Sequence, residues 1–221
     1  MHETEMSTRN RIMHLLKIHG ELSAKDLSEQ LGITSMAVRR HIATLERDNL
    51  IESTTVRQPM GRPAAVYRLT EQAEDFFPKN YHTIALDLLS ELEQDAGIAT
   101  VNRLFELRQQ SLLQRYREKI TGKTLKERVA ELSEIQNENG YMVQWQATGE
   151  DEYILTEYNC PIFQVAGRYN HACACEQNLF ESLLDAEVTR SDCLAEGDQK
   201  CVYHIKRKPT GQTAAQGEGS S

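Results

Sequence analysis

No apolar run in this 221-residue chain approaches the roughly 18 residues that a membrane-spanning helix needs, and the N-terminal stretch MHETEMSTRNR lacks the apolar core of a secretory signal. A cytoplasmic protein is expected. Also missing are a phosphate-binding glycine loop, an H-E-x-x-H pair and any oxyanion-forming feature. His171 lies two residues before Cys173, but nothing supplies the third group that would orient a cysteine nucleophile. An enzyme is therefore not expected. Cysteine is sparse and odd in number, with 5 in the chain. In a reducing cytosol, this argues for metal ligands, redox-active thiols or buried apolar residues rather than a disulfide framework.

Positive charge is also in deficit, since the net charge of −8 excludes a chain coated with basic residues. The deficit is uneven. Between Ser7 and Thr70, 2 Lys and 8 Arg face 6 acidic residues, a balance of +4 that leaves −12 for the rest. A basic head on an acidic body suits a protein that docks one face on phosphate, although an arginine-rich surface without a ligand would look the same from charge alone.

What is present begins with three closely spaced helical patterns. Ser7 or Thr8 caps the first, whose Ile12, Leu15, Leu16 and Ile18 predict an apolar face ending at Gly20. Ser23 caps a second helix carrying Leu27 and Leu31, and Gly32-Ile33 predicts the tight turn of a helix-turn-helix. Thr34 caps a third, Ser35 to Arg47, with Val38, Ile42 and Leu45 inward. Ser35, Met36, Arg39, Arg40 and Thr44 lie on the opposite face. That face suits a DNA major groove, with arginine reading guanine edges or gripping phosphate. Leu50 to Val56 and Ala65 to Leu69 predict a β-hairpin wing around Gly61-Arg62-Pro63, placing Arg57 and Arg62 for phosphate or minor-groove contact. The candidate DNA-binding residues are thus Thr34, Ser35, Met36, Arg39, Arg40, Arg57 and Arg62. Helix-turn-helix units also serve as protein-packing modules, but arginines on both helix and wing favour double-stranded DNA.

Amphipathic helices follow at Tyr81 to Asp95, Ile98 to Ile120 and Leu125 to Glu138, with leucines such as Leu86, Leu89, Leu104 and Leu107 available for core or for a dimer seam. A homodimer would match two half-sites of a palindromic operator. From Gly140 the pattern changes to short strands. Tyr141 to Trp145 and Tyr153 to Tyr158 read as a hairpin, Pro161 opens a short helix through Ala166, and Glu176 to Leu184 reads as another helix. Glu187 to Arg190 and Cys201 to Ile205 read as further strands. The expected architecture is α+β. A winged helix-turn-helix occupies 7–78, a helical linker and dimerisation region 79–139, a small α+β metal-binding sensor domain 140–206, and a polar, disordered tail 207–221.

Cys160, Cys173 and Cys201 all fall in the sensor domain, separated by twelve and then twenty-seven residues. Cys160 is placed at a strand end, Cys173 ahead of a helix and Cys201 at the start of the last strand, so the three can meet at one edge. Soft thiolates favour zinc or an iron–sulfur cluster over hard cations.

The segments Ala24-Lys25-Asp26-Leu27, Gly32-Ile33-Thr34, Val38-Arg39-Arg40-His41, Gly61-Arg62-Pro63 and Tyr67-Arg68-Leu69-Thr70 resemble the winged head of the SufR-like repressors of iron–sulfur cluster assembly. Asn159-Cys160-Pro161, Cys173, Glu176, Val188, Arg190, Gly197-Asp198 and Cys201 resemble the cluster-binding domain of the same family. The resemblance spans about residues 8 to 206. It implies that Cys160, Cys173 and Cys201 hold an iron–sulfur cluster, of the 4Fe-4S or 2Fe-2S kind, and that the cluster-loaded form represses. Some relatives carry a further cysteine where this chain has Glu187. Cys193 is the candidate fourth ligand here, because a Gly197-containing turn separates it from Cys201. Cys175, His171 and His204 also flank the site, and an oxygen, nitrogen or exchangeable ligand is a further alternative. The rival is a zinc site of Cys160, Cys173, Cys193 and Cys201 in a small-molecule-sensing regulator, similar to the vinyl-reductase-type ligand domains.

Overall fold

The computed structural model describes residues 6–57 and 63–209. The chain forms two compact units that meet in sequence at Lys79 and Asn80.

The first unit begins with α1 (Thr8–His19), capped by the Ser7 side chain, which accepts from Asn10 N–H. Its buried face is Ile12, Met13 and Leu16. Ile18, expected on that face, is 72% exposed. Six residues at 100° each carry it about 240° around from Ile12, whereas Met13 lies only one step away. Strand β1 (Leu22–Ser23) leads into α2 (Ala24–Leu31), where Ser23 and Asp26 form a reciprocal capping box. Gly32 ends α2 in the left-handed region, at φ 67°, which a side chain would resist. Thr34 then caps α3 (Ser35–Arg47), and Val38, Ile42 and Leu45 turn inward. Strands β2 (Ile51–Val56) and β3 (Ala64–Leu69) pair antiparallel, Ile51 opposite Leu69 and Val56 opposite Ala64. The short β1 adds to β3 through Leu22 opposite Tyr67, a third strand that two residues could not announce in sequence. A 3-10 turn, Glu71–Phe76, buries Ala73 against the helical core.

In the second unit, α4 (Tyr81–Ala96), α5 (Ile98–Ile120) and α6 (Leu125–Glu138) precede a four-stranded antiparallel sheet. Its strands are β4 (Val143–Gly149), β5 (Glu152–Glu157), β6 (Ala186–Asp192) and β7 (Cys201–Arg207), in the order β4-β5-β7-β6. Between β5 and β6 lie α7 (Phe163–Ala166) and α8 (His171–Leu184). The stretch read as a separate linker packs into this unit. Leu112 and Leu113 of α5, together with Val129, Leu132 and Ile135 of α6, join a core with Leu155, Phe180 and Tyr203. Phe180 and Tyr203 meet edge-to-face at 4.9 Å, and rings of this size supply much of the apolar area that such a core buries. Trp145 is only partly buried, packed at 5.9 Å on Tyr153. Helix α8 starts at His171, five residues earlier than Glu176, because Asn170 and the Ala-rich His171 to Cys175 stretch continue the helix toward the N-terminus. Cys173 therefore lies in the first turn of α8 rather than ahead of it. No helix among the described residues is long and apolar enough to cross a membrane.

Candidate DNA-reading face and thiol centre

On the first unit, the proposed reading residues lie together on the outer side of α3. Thr34 accepts from Ala37 N–H at 3.3 Å, a cap that orients the first turn outward. Ser35 donates to Ser28 at 3.3 Å, Met36 is 77% exposed, and Arg39 and Arg40 are exposed one turn further on. The arginines divide into two groups. Arg9 pairs with Asp48 at 2.7 Å and Arg68 with Glu52 at 2.7 Å, which fastens them to their own domain. Arg39, Arg40 and Arg57 make no ion pair among the described residues. Cations left in solvent on one helix face and at the hairpin are available to phosphate or base edges. Arg62, at the wing tip, lies outside the described residues.

On the second unit, four of the five cysteines gather at one end of the sheet. Strand alternation puts Tyr153, Leu155 and Glu157 of β5, and Cys201, Tyr203 and Ile205 of β7, on the buried face, with Glu157 directly opposite Cys201. Helix α8 covers that face and brings Cys173 and Glu176 down on it. Cys193 follows β6 in a turn closed when its N–H donates to the Asp198 carboxylate at 2.8 Å. Its sulfur comes to 4.0 Å from that of Cys173. The Cys201 sulfur accepts the N–H of Leu194 at 3.3 Å, and the Cys160 sulfur accepts the N–H of Ile162. As positioned, no three His, Cys, Asp or Glu side chains among the described residues converge on a single metal-sized point.

Burial dominates the electrostatics of these groups and favours their neutral forms. Burial pushes the Cys160 thiol up to about 11, with Glu176, Glu157 and Cys193 adding repulsion. Burial likewise pushes Cys173 up to about 12, reinforced by Cys193, and Cys201 up to about 12, reinforced by Glu157. Glu157 is held well above the carboxylate range by burial and by Glu176. Glu176 is raised too, by burial, although the Tyr203 hydroxyl donates to it at 3.1 Å and Tyr141 faces it as well. Two buried polar atoms here have no hydrogen-bond partner, Oε2 of Glu157 and Nη1 of Arg190. Arg190 sits close enough to Cys173 and Cys193 to feel their charge. A soft donor set with an orphaned N–H beside it fits a bound metal–sulfur group, whose thiolates carry negative charge and accept hydrogen bonds.

The remaining candidates face elsewhere. Cys175 sits beside Glu106 and Arg108 of α5, His171 stands 3.5 Å from Glu106, and His204 meets Ser191 at 3.1 Å on the outer face of the sheet. Glu187 is exposed on β6. Glu157, absent from the sequence-based candidates, is central. The signal that could have found it is the alternation of β5, which turns a charged residue inward at its last position.

A pocket of about 360 Å³ opens next to the thiol centre, lined by Arg108, Arg115, Tyr116, Gln136, Tyr141 and Glu176 among others.

Residues 8–57 match the helix-turn-helix family described as "HTH domain". The N-terminal unit is a winged helix-turn-helix domain. Domains of this form are the DNA-binding modules of many transcription regulators. None of the curated proteins matches the chain. Among solved structures, it is similar to the operator-DNA complex of Bacillus subtilis PadR, with 15% identity over 80% of this chain and 97% of that one and a TM-score of 0.29. It is also similar to Lactococcus lactis ZitR, with 20% identity over 52% and 79% and a TM-score of 0.28. An H-NOX protein from S. oneidensis gives 11% identity over 59% and 75% and a TM-score of 0.40. At such scores, no property of those proteins transfers to this chain.

Proposed function

We propose that this chain is a DNA-binding transcriptional regulator in which an iron–sulfur cluster, held by Cys160, Cys173 and Cys201 with Cys193 beside them, controls binding of a palindromic operator by a homodimer. The observation that carries the reading is the gathering of four buried or half-buried thiols, at one sheet end, around Arg190 and Glu157 atoms that lack partners. The same thiols would be ordinary core residues if they were scattered, since free cysteine is commonly buried. Soft thiolates suit an iron–sulfur cluster and zinc alike, and the resemblance to the SufR-like repressors is what favours the cluster. When bound, such a cluster supplies a centre that oxidants can damage or remove. The chain's own part is to exclude water from the sulfurs, donate the Ile162 and Leu194 N–H groups to them, and hold the turn of Cys193 in place through Asp198.

Support for a homodimer comes from α4, which buries none of its residues and leaves Tyr81, Ile84 and Leu88 exposed. That apolar face suits a second copy. The resemblance to SufR-like repressors makes the target genes those of cluster assembly and the cluster-loaded form the repressing one. The second reading, a zinc-containing small-molecule sensor, draws support from the pocket beside Glu176, whose size suits a compact organic ligand.

Anaerobic purification decides between them. The expected protein is brown, with acid-labile sulfide in stoichiometry with iron, and Ser at Cys160 or Cys173 abolishes the colour. Stoichiometric zinc without sulfide, from cells grown with ample iron, overturns the iron–sulfur reading.

A further inference from the structure

A carboxylate is buried among the thiols with half of its hydrogen-bonding capacity unused. Glu157 is 1% exposed. Its Oε1 accepts from Nε2 of Gln136 at 2.9 Å, itself a buried amide on α6, while Oε2 has no partner. Strand pairing sets Glu157 opposite Cys201, and Glu157 interacts electrostatically with Cys160 and Cys193 as well. Arg190, whose charge favours the ionised carboxylate, gives it no hydrogen bond. Arg190 directs Nη2 to Glu196 at 3.4 Å, and its Nη1 is itself without a partner. Buried charges in folded proteins are paired or coordinate a metal, and a carboxyl with neither holds a proton instead.

We propose that Glu157 is itself a metal ligand, its Oε2 supplying the one oxygen donor of the thiol centre while Gln136 holds Oε1 and fixes the carboxylate plane. The assignment rests on the metal-binding reading above, but not on which metal is bound. The arrangement follows the general pattern in which a ligand's second polar atom is hydrogen-bonded by an outer partner. Iron–sulfur clusters are ordinarily held by thiolates, so a metal held by an oxygen donor there would be the most readily lost.

The test uses the full chain, stripped of metal and titrated anaerobically with Co²⁺, which reports thiolate ligation through sulfur-to-cobalt absorption. Glu157→Gln keeps an oxygen for Gln136 but removes the anionic ligand. It should weaken Co²⁺ binding by about 10-fold or more, since losing even an outer-shell partner costs that much, while the circular dichroism and melting of the metal-free protein are retained. Glu157→Cys should restore the affinity and add the absorption of one further thiolate per bound cobalt. A role confined to packing against Gln136 would produce neither effect. Wild-type affinity and an unchanged cobalt spectrum in Glu157→Gln overturn the assignment. So does a wild-type protein that binds no Co²⁺. If Glu157→Gln does not fold, unchanged sulfur-to-cobalt absorption in Glu157→Cys overturns it and added absorption supports it. Should cobalt report Glu157 while anaerobic protein holds no labile sulfide, the carboxylate ligand stands and the iron–sulfur reading alone falls.

Discussion

The two units carry arginines of opposite character. Arg39 and Arg40 stand in solvent on a helix whose fold is complete without them, held outward by Val38, Ile42 and Leu45 beneath. Arg190 has a side chain only 14% exposed, lies beside Cys173 and Cys193, and keeps one nitrogen unsatisfied. The first kind costs the free protein little, because water solvates the charge until DNA replaces it. The second kind is costly in the free protein, because desolvation has already happened and Nη1 has no hydrogen-bond partner. An exposed arginine face and a buried thiol centre therefore answer differently to substitution. Changes on the face alter binding and leave the fold alone, whereas changes in the thiol centre alter the free unit as well.

The largest expected effect breaks the comparison at its sensor end. Cys201→Ser should abolish cluster retention and, in gel-shift titrations on a palindromic operator, bring affinity to that of metal-free wild-type protein. A typical coupling of ~1–3 kcal/mol would separate it from the loaded form by roughly 5–150-fold. Equal affinities for loaded, metal-free and Cys201→Ser protein would make the thiol centre a structural element, with no say over DNA.

Next comes the reading face. Arg39→Ala and Arg40→Ala should each weaken operator binding by about 1–3 kcal/mol where the arginine reads a guanine, with unchanged melting of the first unit. A folded double variant that keeps full operator affinity would remove α3 as the reader. Arg57→Ala, just past the end of β2, should instead weaken binding on all sequences alike and flatten its dependence on salt.

The smallest effect near neutral pH concerns the metal-free protein alone. Folded thiol values of about 11 and 12, against an ordinary value near 9, mean that the protonated thiols stabilise the second unit fully below about pH 9. That contribution is lost as pH rises toward 11 to 12, since the unfolded chain ionises first. Thermal melting from pH 8 to 11 should show the second unit weakening, and a Cys173→Ala variant should show less of it. A melting temperature for metal-free protein that is level across this range would contradict the burial of these thiols.

The first unit is legible in some detail because its signals are local. Ser23 and Asp26 stand three residues apart, Gly32 occupies a left-handed position at the turn, and the inward set of α3 repeats at helical spacing, so each element can be read within a dozen residues. Ile18 departs from its expected place for an equally local reason, since six residues of helix carry it about 240° around from Ile12. The thiol centre is legible only as a set of candidates. Spacing along the chain singles out Cys160, Cys173 and Cys201, but nothing local separates Cys193, beside Cys173, from Cys175, which turns toward α5.

By itself, then, the sequence determined the helix caps, the tight turn, the outward arginines and the choice of soft donors, all of which follow from residue type and short-range period. The tertiary structure decided which donors meet. Glu157 faces Cys201 only because β5 and β7 pair in one register, and a shift of one residue would turn the carboxylate to solvent. Cys173 reaches Cys193 only because α8 begins early enough to bring its first turn over the end of the sheet. These pairs lie 20 and 44 positions apart in the chain, joined by strand register and helix packing, and no local pattern encodes them.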